Sequence, residues 1–103
     1  MIRVQIDVEG MRFRMEGHAD FGPVGSDIVC AGATMLASTL ISHVTRMCDP
    51  YDVLECALES GLAVLEVSPM RKRKRKECRI VFAAIHEGFE LLAQRYPHHV
   101  KID

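Results

Sequence analysis

The chain has 103 residues, with 13 Lys and Arg against 14 Asp and Glu and a net charge of −1 at pH 7. Apolar residues make up 49% and charged residues 26%, a globular balance that suits one small domain (1–103) around a single core. These numbers exclude a multi-domain enzyme, a dinucleotide-binding fold with its substrate domain, and a disordered chain. The absence of Trp, with only 4 Phe and 2 Tyr, argues against a base-stacking platform.

Residues 2–8 alternate, with Ile2, Val4, Ile6 and Val8 on one side and Arg3, Gln5 and Asp7 on the other. Met11, Phe13 and Met15 alternate in the same way with Arg12, Arg14 and Glu16. Period-two patterning predicts two half-buried strands. Glu9-Gly10 between them predicts a two-residue hairpin in which Gly supplies the positive φ. Residues 17–26 hold three Gly and one Pro, so they form a loop with hinge capacity.

Ser26 or Asp27 then caps a helix, because a short oxygen side chain satisfies a free N–H of the first turn. The helix runs to about Met47. Val29, Ala33, Leu36, Leu40, Val44 and Met47 mark its core stripe, while Cys30, Thr34, Ala37 and Ile41 lie on a neighbouring face. A helix this apolar around its girth is expected to be covered on more than one side, by a partner subunit among the candidates. Ile28 to Thr45 lacks Asp, Glu, Lys and Arg, but it contains Thr34, Ser38, Thr39, Ser42, His43 and Thr45. It also falls short of the roughly 20 apolar residues that a bilayer requires. It therefore reads as a buried amphipathic helix with no membrane partner.

Asp49-Pro50 stops that helix. Residues 52–58 and 62–68 predict two more strands joined at Glu59-Ser60-Gly61. A second helix follows the basic run and ends at about Tyr96, with a stripe of Cys78, Phe82, Ile85, Phe89, Leu92 and Tyr96. Pro97 terminates it, and Val100 to Ile102 forms a short last strand. The order ββαββα(β) predicts an α+β fold: a single-layer, largely antiparallel sheet with two helices packed on one face.

Arg71, Lys72, Arg73, Lys74, Arg75 and Lys76 form an unbroken basic run, leaving 7 positive and 14 negative charges, a net of −7, on the rest of the chain. Like charges in a row repel and stay solvated, so a loop is expected there; the same run offers a contact for RNA or another polyanion. The cysteines at 30, 48, 56 and 78 include no C-x-x-C pair, so neither a zinc knuckle nor a thioredoxin-like site is expected. Met1-Ile2-Arg3-Val4-Gln5 lacks the apolar segment of a secretory signal, which leads us to expect a cytoplasmic protein with reduced thiols.

Chemistry concentrates in Gly17-His18-Ala19 and Ser26-Asp27-Ile28-Val29-Cys30. With Asp27 as cap, Cys30 falls in the first helical turn, where free N–H groups and the helix dipole favour an anion. A thiol with an ordinary pKa of about 8.5 is lowered in such a place, and the thiolate is the nucleophile. His18, at the mouth of the loop, is placed to take the thiol proton and return it to a leaving amine. First-turn N–H groups, that of Cys30 included, are candidates for an oxyanion site. Asp27 is placed to cap the helix, to orient His18, or both. Thr34 lies one turn beyond Cys30, within reach of the thiolate or a first-turn carbonyl. Cys48, Cys56 and Cys78 read as small buried hydrophobes. His43, His86, His98 and His99 read as structural or surface residues.

The string Gly17-His18-Ala19 … Gly25-Ser26-Asp27-Ile28-Val29-Cys30-Ala31 resembles the signature of the ribosomal-processing cysteine protease (Prp) family. The length, the opening hairpin, the Cys-bearing helix and the closing Tyr96-Pro97 with Val100-Lys101-Ile102 are similar too, so the resemblance covers nearly the whole chain. Thr34 stands where the family usually has Ser, and Ala31-Gly32-Ala33 where it usually has Ala-Ala-Val. The resemblance implies a catalytic dyad of His18 and Cys30, with Gly17, Asp27 and Thr34 in support. It implies an endopeptidase that removes a short N-terminal extension, cut after hydrophobic and aromatic residues, from the precursor of a large-subunit ribosomal protein. It further implies a homodimer, a mobile loop (residues 19–26) that closes over substrate, and no metal or organic cofactor. Two other readings use the same residues: a non-enzymatic RNA- or ribosome-associated protein acting through 71–76, and a thioesterase or acyl transferase built on the same dyad.

Overall fold

The computed structural model describes residues 1–23 and 25–103. Val24, within the expected loop 17–26, lies outside the described residues. Strands β1 (Ile2–Asp7) and β2 (Arg12–Glu16) lead to helix α1 (Ile28–Met47). A short 3-10 turn (Pro50–Asp52) then precedes β3 (Val53–Glu59) and β4 (Leu62–Val67), and α2 (Lys72–Arg95) and β5 (Val100–Ile102) complete the chain. The five strands form one sheet in the order β3-β4-β2-β1-β5, antiparallel except where β5 runs parallel to β1.

The period-two pattern decides which side of the sheet is buried. Ile2, Val4, Phe13, Met15, Ala63, Leu65 and Val67 join one core cluster with both helices, while Arg3, Gln5, Arg12, Arg14 and Glu16 face solvent on the other side. From α1 the core receives Val29, Ala33, Ala37, Leu40, Ile41 and Val44, and from α2 it receives Cys78, Phe82, Ile85 and Phe89. The Phe89 ring stacks on Phe13 of the sheet at 5.6 Å between centroids. The helices run antiparallel: Gly32 near the start of α1 lies by Leu92, Gly88 by Leu36, and Cys48 at the end of α1 meets Cys78. At Gly88 a Cβ would come within 2.6 Å of a Leu36 methyl, so the small residue sets how closely the helices approach.

Three expectations are corrected. Asp7 pairs with Arg12 across a four-residue connection, and the left-handed residue is Met11 (φ 52), not Gly10. The Asp7 carboxylate dictates this turn: it accepts from the Gly10 N–H at 2.9 Å and from Arg12 at 2.8 Å. A Cβ at Gly10 would stand 2.3 Å from that carboxylate.

The basic run is not a loop, because α2 begins at Lys72. Tertiary partners offset the repulsion there. Arg75 donates to the Pro69 and Met70 carbonyls at 3.1 and 2.8 Å, Lys74 lies 3.6 Å from Asp49, and Arg73 pairs with Glu77 at 3.2 Å. The third correction is that Cys56 is exposed. Its register partner is Leu65, so it sits on the helix side of the sheet, but edge strand β3 extends past the helices and leaves Leu54 and Leu58 61% and 50% exposed beside it.

Phe89 is fully buried and links α2 to β2. Phe89→Ala is expected to cost about 3–5 kcal/mol, the range for a core Phe truncation. It should appear as a lower urea midpoint with an unchanged slope; a loss under about 1 kcal/mol would contradict the packing described.

Candidate active site

The first turn of α1 is organised by one carboxylate. Asp27, in extended conformation, is the N-cap: its Oδ1 accepts from the Val29 N–H at 3.0 Å and from the Cys30 N–H at 2.9 Å. Its Oδ2 accepts from the Phe21 and Gly22 N–H groups at 2.9 and 3.3 Å, so the same side chain holds the preceding loop against the helix. Ser26 instead turns back on the loop, its N–H and hydroxyl both donating to the Pro23 carbonyl. These four N–H donors, that of Cys30 foremost, hold the Asp27 carboxyl below the usual carboxylate range against the opposing effect of desolvation.

Cys30 is the third residue of α1, half-buried and packed against the core cluster. Its position is as expected, but its N–H already serves Asp27, as does that of Val29. The expectation that the Cys30 N–H lines an oxyanion site is therefore not met in this conformation. Thr34, one turn on, is exposed, and its hydroxyl bonds neither the Cys30 sulfur nor a first-turn carbonyl among the described residues.

His18 is positioned by two glycines. Gly17 has φ +92, its N–H donates to the Gly61 carbonyl at 2.9 Å, and a Cβ on it would lie 2.5 Å from the Met1 carbonyl oxygen. Any larger residue would displace the backbone that carries His18. The imidazole rests over Gly61, where φ is +76 and a Cβ would stand 3.0 Å from Nε2. The pairing of Glu16 with Leu62 brings Gly61 here. In the sequence Gly61 reads only as part of a turn, and no local signal separates that role from a floor beneath an imidazole.

Among the described residues no hydrogen bond joins His18 to Cys30 or to Asp27. Of the two roles open to Asp27, the geometry displays the cap and not the orientation of His18. The two halves of the site nonetheless share one end of the molecule, where α2 finishes. Gly17 abuts Met1, the Ala19 carbonyl lies 2.9 Å from His99 Nδ1, and Phe21 packs edge-on against Tyr96 and His99 at 5.4 and 5.2 Å. His99 thus has a structural role, bracing the loop between His18 and Cys30.

The remaining cysteines differ from Cys30. Cys48 and Cys78 face each other at 3.7 Å in the core, and burial pushes the Cys48 thiol up and the Cys78 thiol up to about 12. Among the described residues no cluster of three or more His, Cys, Asp or Glu is arranged to hold a metal ion.

A half-buried thiol in the first turn of α1 and an imidazole at the mouth of the adjoining loop are the two groups with which a thiol hydrolase works. The family model for cysteine protease Prp matches residues 1–101, and the chain belongs to that family. The essential ribosomal processing protease Prp from S. aureus has the same fold. Its complex with a covalently linked product peptide aligns with a TM-score of 0.76 at 20% identity, covering 99% of this chain and 95% of that one. Its complex with a substrate peptide aligns at 0.70 and 17%, with the same coverage. SMU.848 from Streptococcus mutans aligns at 0.72 and 23%, covering 100% of this chain and 92% of that one. No curated protein sequence matches the chain.

The Asp27 carboxyl is depressed in the folded state, so the stability it contributes is complete above its unfolded pKa of about 3.9 and is lost as pH falls through its lower folded value. Asn also caps helices but carries no charge. Asp27→Asn should therefore lower the urea midpoint at pH 6 and narrow that difference on acidification below about pH 4. A difference that stays constant from pH 6 to pH 2 would remove the carboxylate from this role.

Proposed function

We propose that this cysteine protease removes a short N-terminal extension from the precursor of a large-subunit ribosomal protein in the cytoplasm, with Cys30 as nucleophile and His18 as general base and acid. The observation that carries the proposal is Cys30 in a capped first turn, beneath a loop that starts at His18, in a chain that matches the protease family over 1–101. The Cys30 thiolate attacks the scissile carbonyl while His18 accepts the thiol proton; His18 then protonates the leaving amine, and water, activated by the same imidazole, releases the acylated segment. The covalently linked product peptide of the S. aureus protease supports a covalent step.

In this mechanism peptide binding closes the loop 19–26 and carries His18 to the thiol. The left-handed Gly17, Asp20 and Gly25 support such a hinge. Closure that also draws the loop off Asp27 would free the first-turn N–H groups for the tetrahedral oxyanion. Gly17 and Asp27 act by positioning, and Thr34 borders the site.

The protein acts as a homodimer in this proposal. Support comes from Ile28 and Met35, 61% and 65% exposed on α1, and from the uncovered Leu54 and Leu58 of β3, apolar surface of the kind a second subunit buries. The basic run 71–76 has a place in the same setting as a contact with ribosomal RNA, and it also supports the second reading, a ribosome-associated protein without protease activity.

Incubation with the precursor decides between these readings. Cys30→Ala should abolish cleavage and His18→Ala should lower it by at least a hundredfold, both with an unchanged far-UV spectrum. Full cleavage by Cys30→Ala would refute the protease proposal. Alkylation tests the thiol itself. At pH 7 iodoacetamide should label half-buried Cys30 at least about tenfold faster than exposed Cys56 and leave Cys48 and Cys78 unlabelled. Faster labelling of Cys56 would contradict an activated Cys30.

A further inference from the structure

Beyond the protease site, the most pronounced chemical feature of the molecule is its segregation of charge. Six cations occupy 71–76, and the other residues carry a net −7. Lys72 to Lys76 form the opening of α2, where the positive end of the helix dipole disfavours cations and the first turn holds no acidic residue. Local stability does not account for the cations at Lys72 and Lys76, since a neutral helix former would suit these two positions better.

Lys74 and Arg75 are engaged with Asp49 and with the Pro69 and Met70 carbonyls, and Arg73 with Glu77. Arg71, Lys72 and Lys76 have no side-chain partner among the described residues and are exposed. Lys72 and Lys76 are one turn apart on the side of α2 opposite its buried stripe, about 6 Å along the axis. Tyr51 and Lys74 meet at the Asp49 carboxylate on the other side of the helix, so the free cations form a surface of their own. Free cations spaced along one helix face suit a nucleic acid strand, whose phosphates they meet.

The location of the surface narrows what it does. Cys48 meets Cys78 at the end of α1, so the basic surface lies at the opposite end of α1 from Cys30, about 27 Å away along the helix axis. It is therefore free while a peptide occupies the site. It does not recruit the precursor directly, because a ribosomal protein that binds RNA is itself cationic and is repelled here. The ligand that fits is the RNA on which such a precursor sits.

We infer that the form of substrate this protease prefers is the precursor already bound to ribosomal RNA, with the RNA held on Arg71, Lys72 and Lys76 and the extension reaching Cys30 at the far end. The inference rests on the protease reading above. It adds which form of the precursor is cut and which residues select it.

The test uses the full chain and a variant, Arg71→Gln/Lys72→Gln/Lys76→Gln, whose replaced side chains support no other residue. Both proteins are given a short peptide spanning the cleavage site, the free precursor, and the precursor bound to a large-subunit RNA fragment. Affinity for the RNA fragment alone is measured by fluorescence anisotropy across a salt series. The parent protein should cut the RNA-bound precursor at least about tenfold faster than the free one at low salt. The variant should lose that advantage, cut the peptide at the parent rate, and bind RNA with a log–log salt slope shallower by about two to three. Equal rates on the two precursor forms, or an advantage retained by the variant, would overturn the inference. So would an equal stimulation by polyglutamate, which would mark a general response to polyanions. If neither protein cuts the peptide, the protease reading fails and takes the substrate inference with it, whatever the anisotropy shows.

Discussion

The Asp27 carboxylate is the constraint on which the site depends. One oxygen closes the first turn of α1 at Val29 and Cys30, and the other grips the loop at Phe21 and Gly22. A neutral cap such as Ser does the first task and not the second, because a single hydroxyl lacks two separate acceptor oxygens. The same side chain also occupies N–H donors that a tetrahedral intermediate needs. The geometry therefore describes a resting site, in which the loop and the first turn of α1 share one set of hydrogen bonds. In the proposed mechanism a substrate that displaces the loop alters both together, which couples chemistry to the arrival of peptide.

Much of the fold was legible because its elements obey local periodicities. Alternation in residues 2–8 and 11–16 reports a half-buried sheet directly, and the stripe of Cys78, Phe82, Ile85 and Phe89 reports a core helix. The helix start at Asp27 was legible for a similar reason, since a cap acts within three residues of itself. What periodicity leaves open is whether the predicted face has anything on it. Cys56 and Leu58 lie on the inner face of β3 and yet meet solvent, because the two helices do not extend to that edge.

The remaining misreadings arise where a side chain or a distant segment overrides a local preference. In the β1–β2 connection, Asp7 bonds the Gly10 N–H and Arg12, which moves the left-handed residue to Met11. At the start of α2, charge repulsion argues for a loop, but Arg75 reaches back to two carbonyls of the preceding segment and Lys74 reaches Asp49 at the end of α1. At Gly61, the decisive contact is with a histidine 43 positions earlier, brought there by β2–β4 pairing. No window along the sequence contains both members of that contact. Half of the site was therefore readable as a motif, and the surface that supports the imidazole was not.

The antiparallel helices give the molecule a direction. The end of α1 places its partial negative charge beside the cations that open α2, and Asp49 adds a full carboxylate to the same corner. Cations that oppose their own helix dipole are thus partly compensated by the neighbouring helix, which allows a dense basic surface without unwinding the first turn of α2. At the other end, the start of α1 carries the thiol and the end of α2 carries Tyr96, against which the loop rests. One packing decision, two helices side by side in opposite senses, thereby separates a cationic surface from a nucleophilic one by the length of α1. Parallel helices on the same sheet would have brought the six cations to the cysteine.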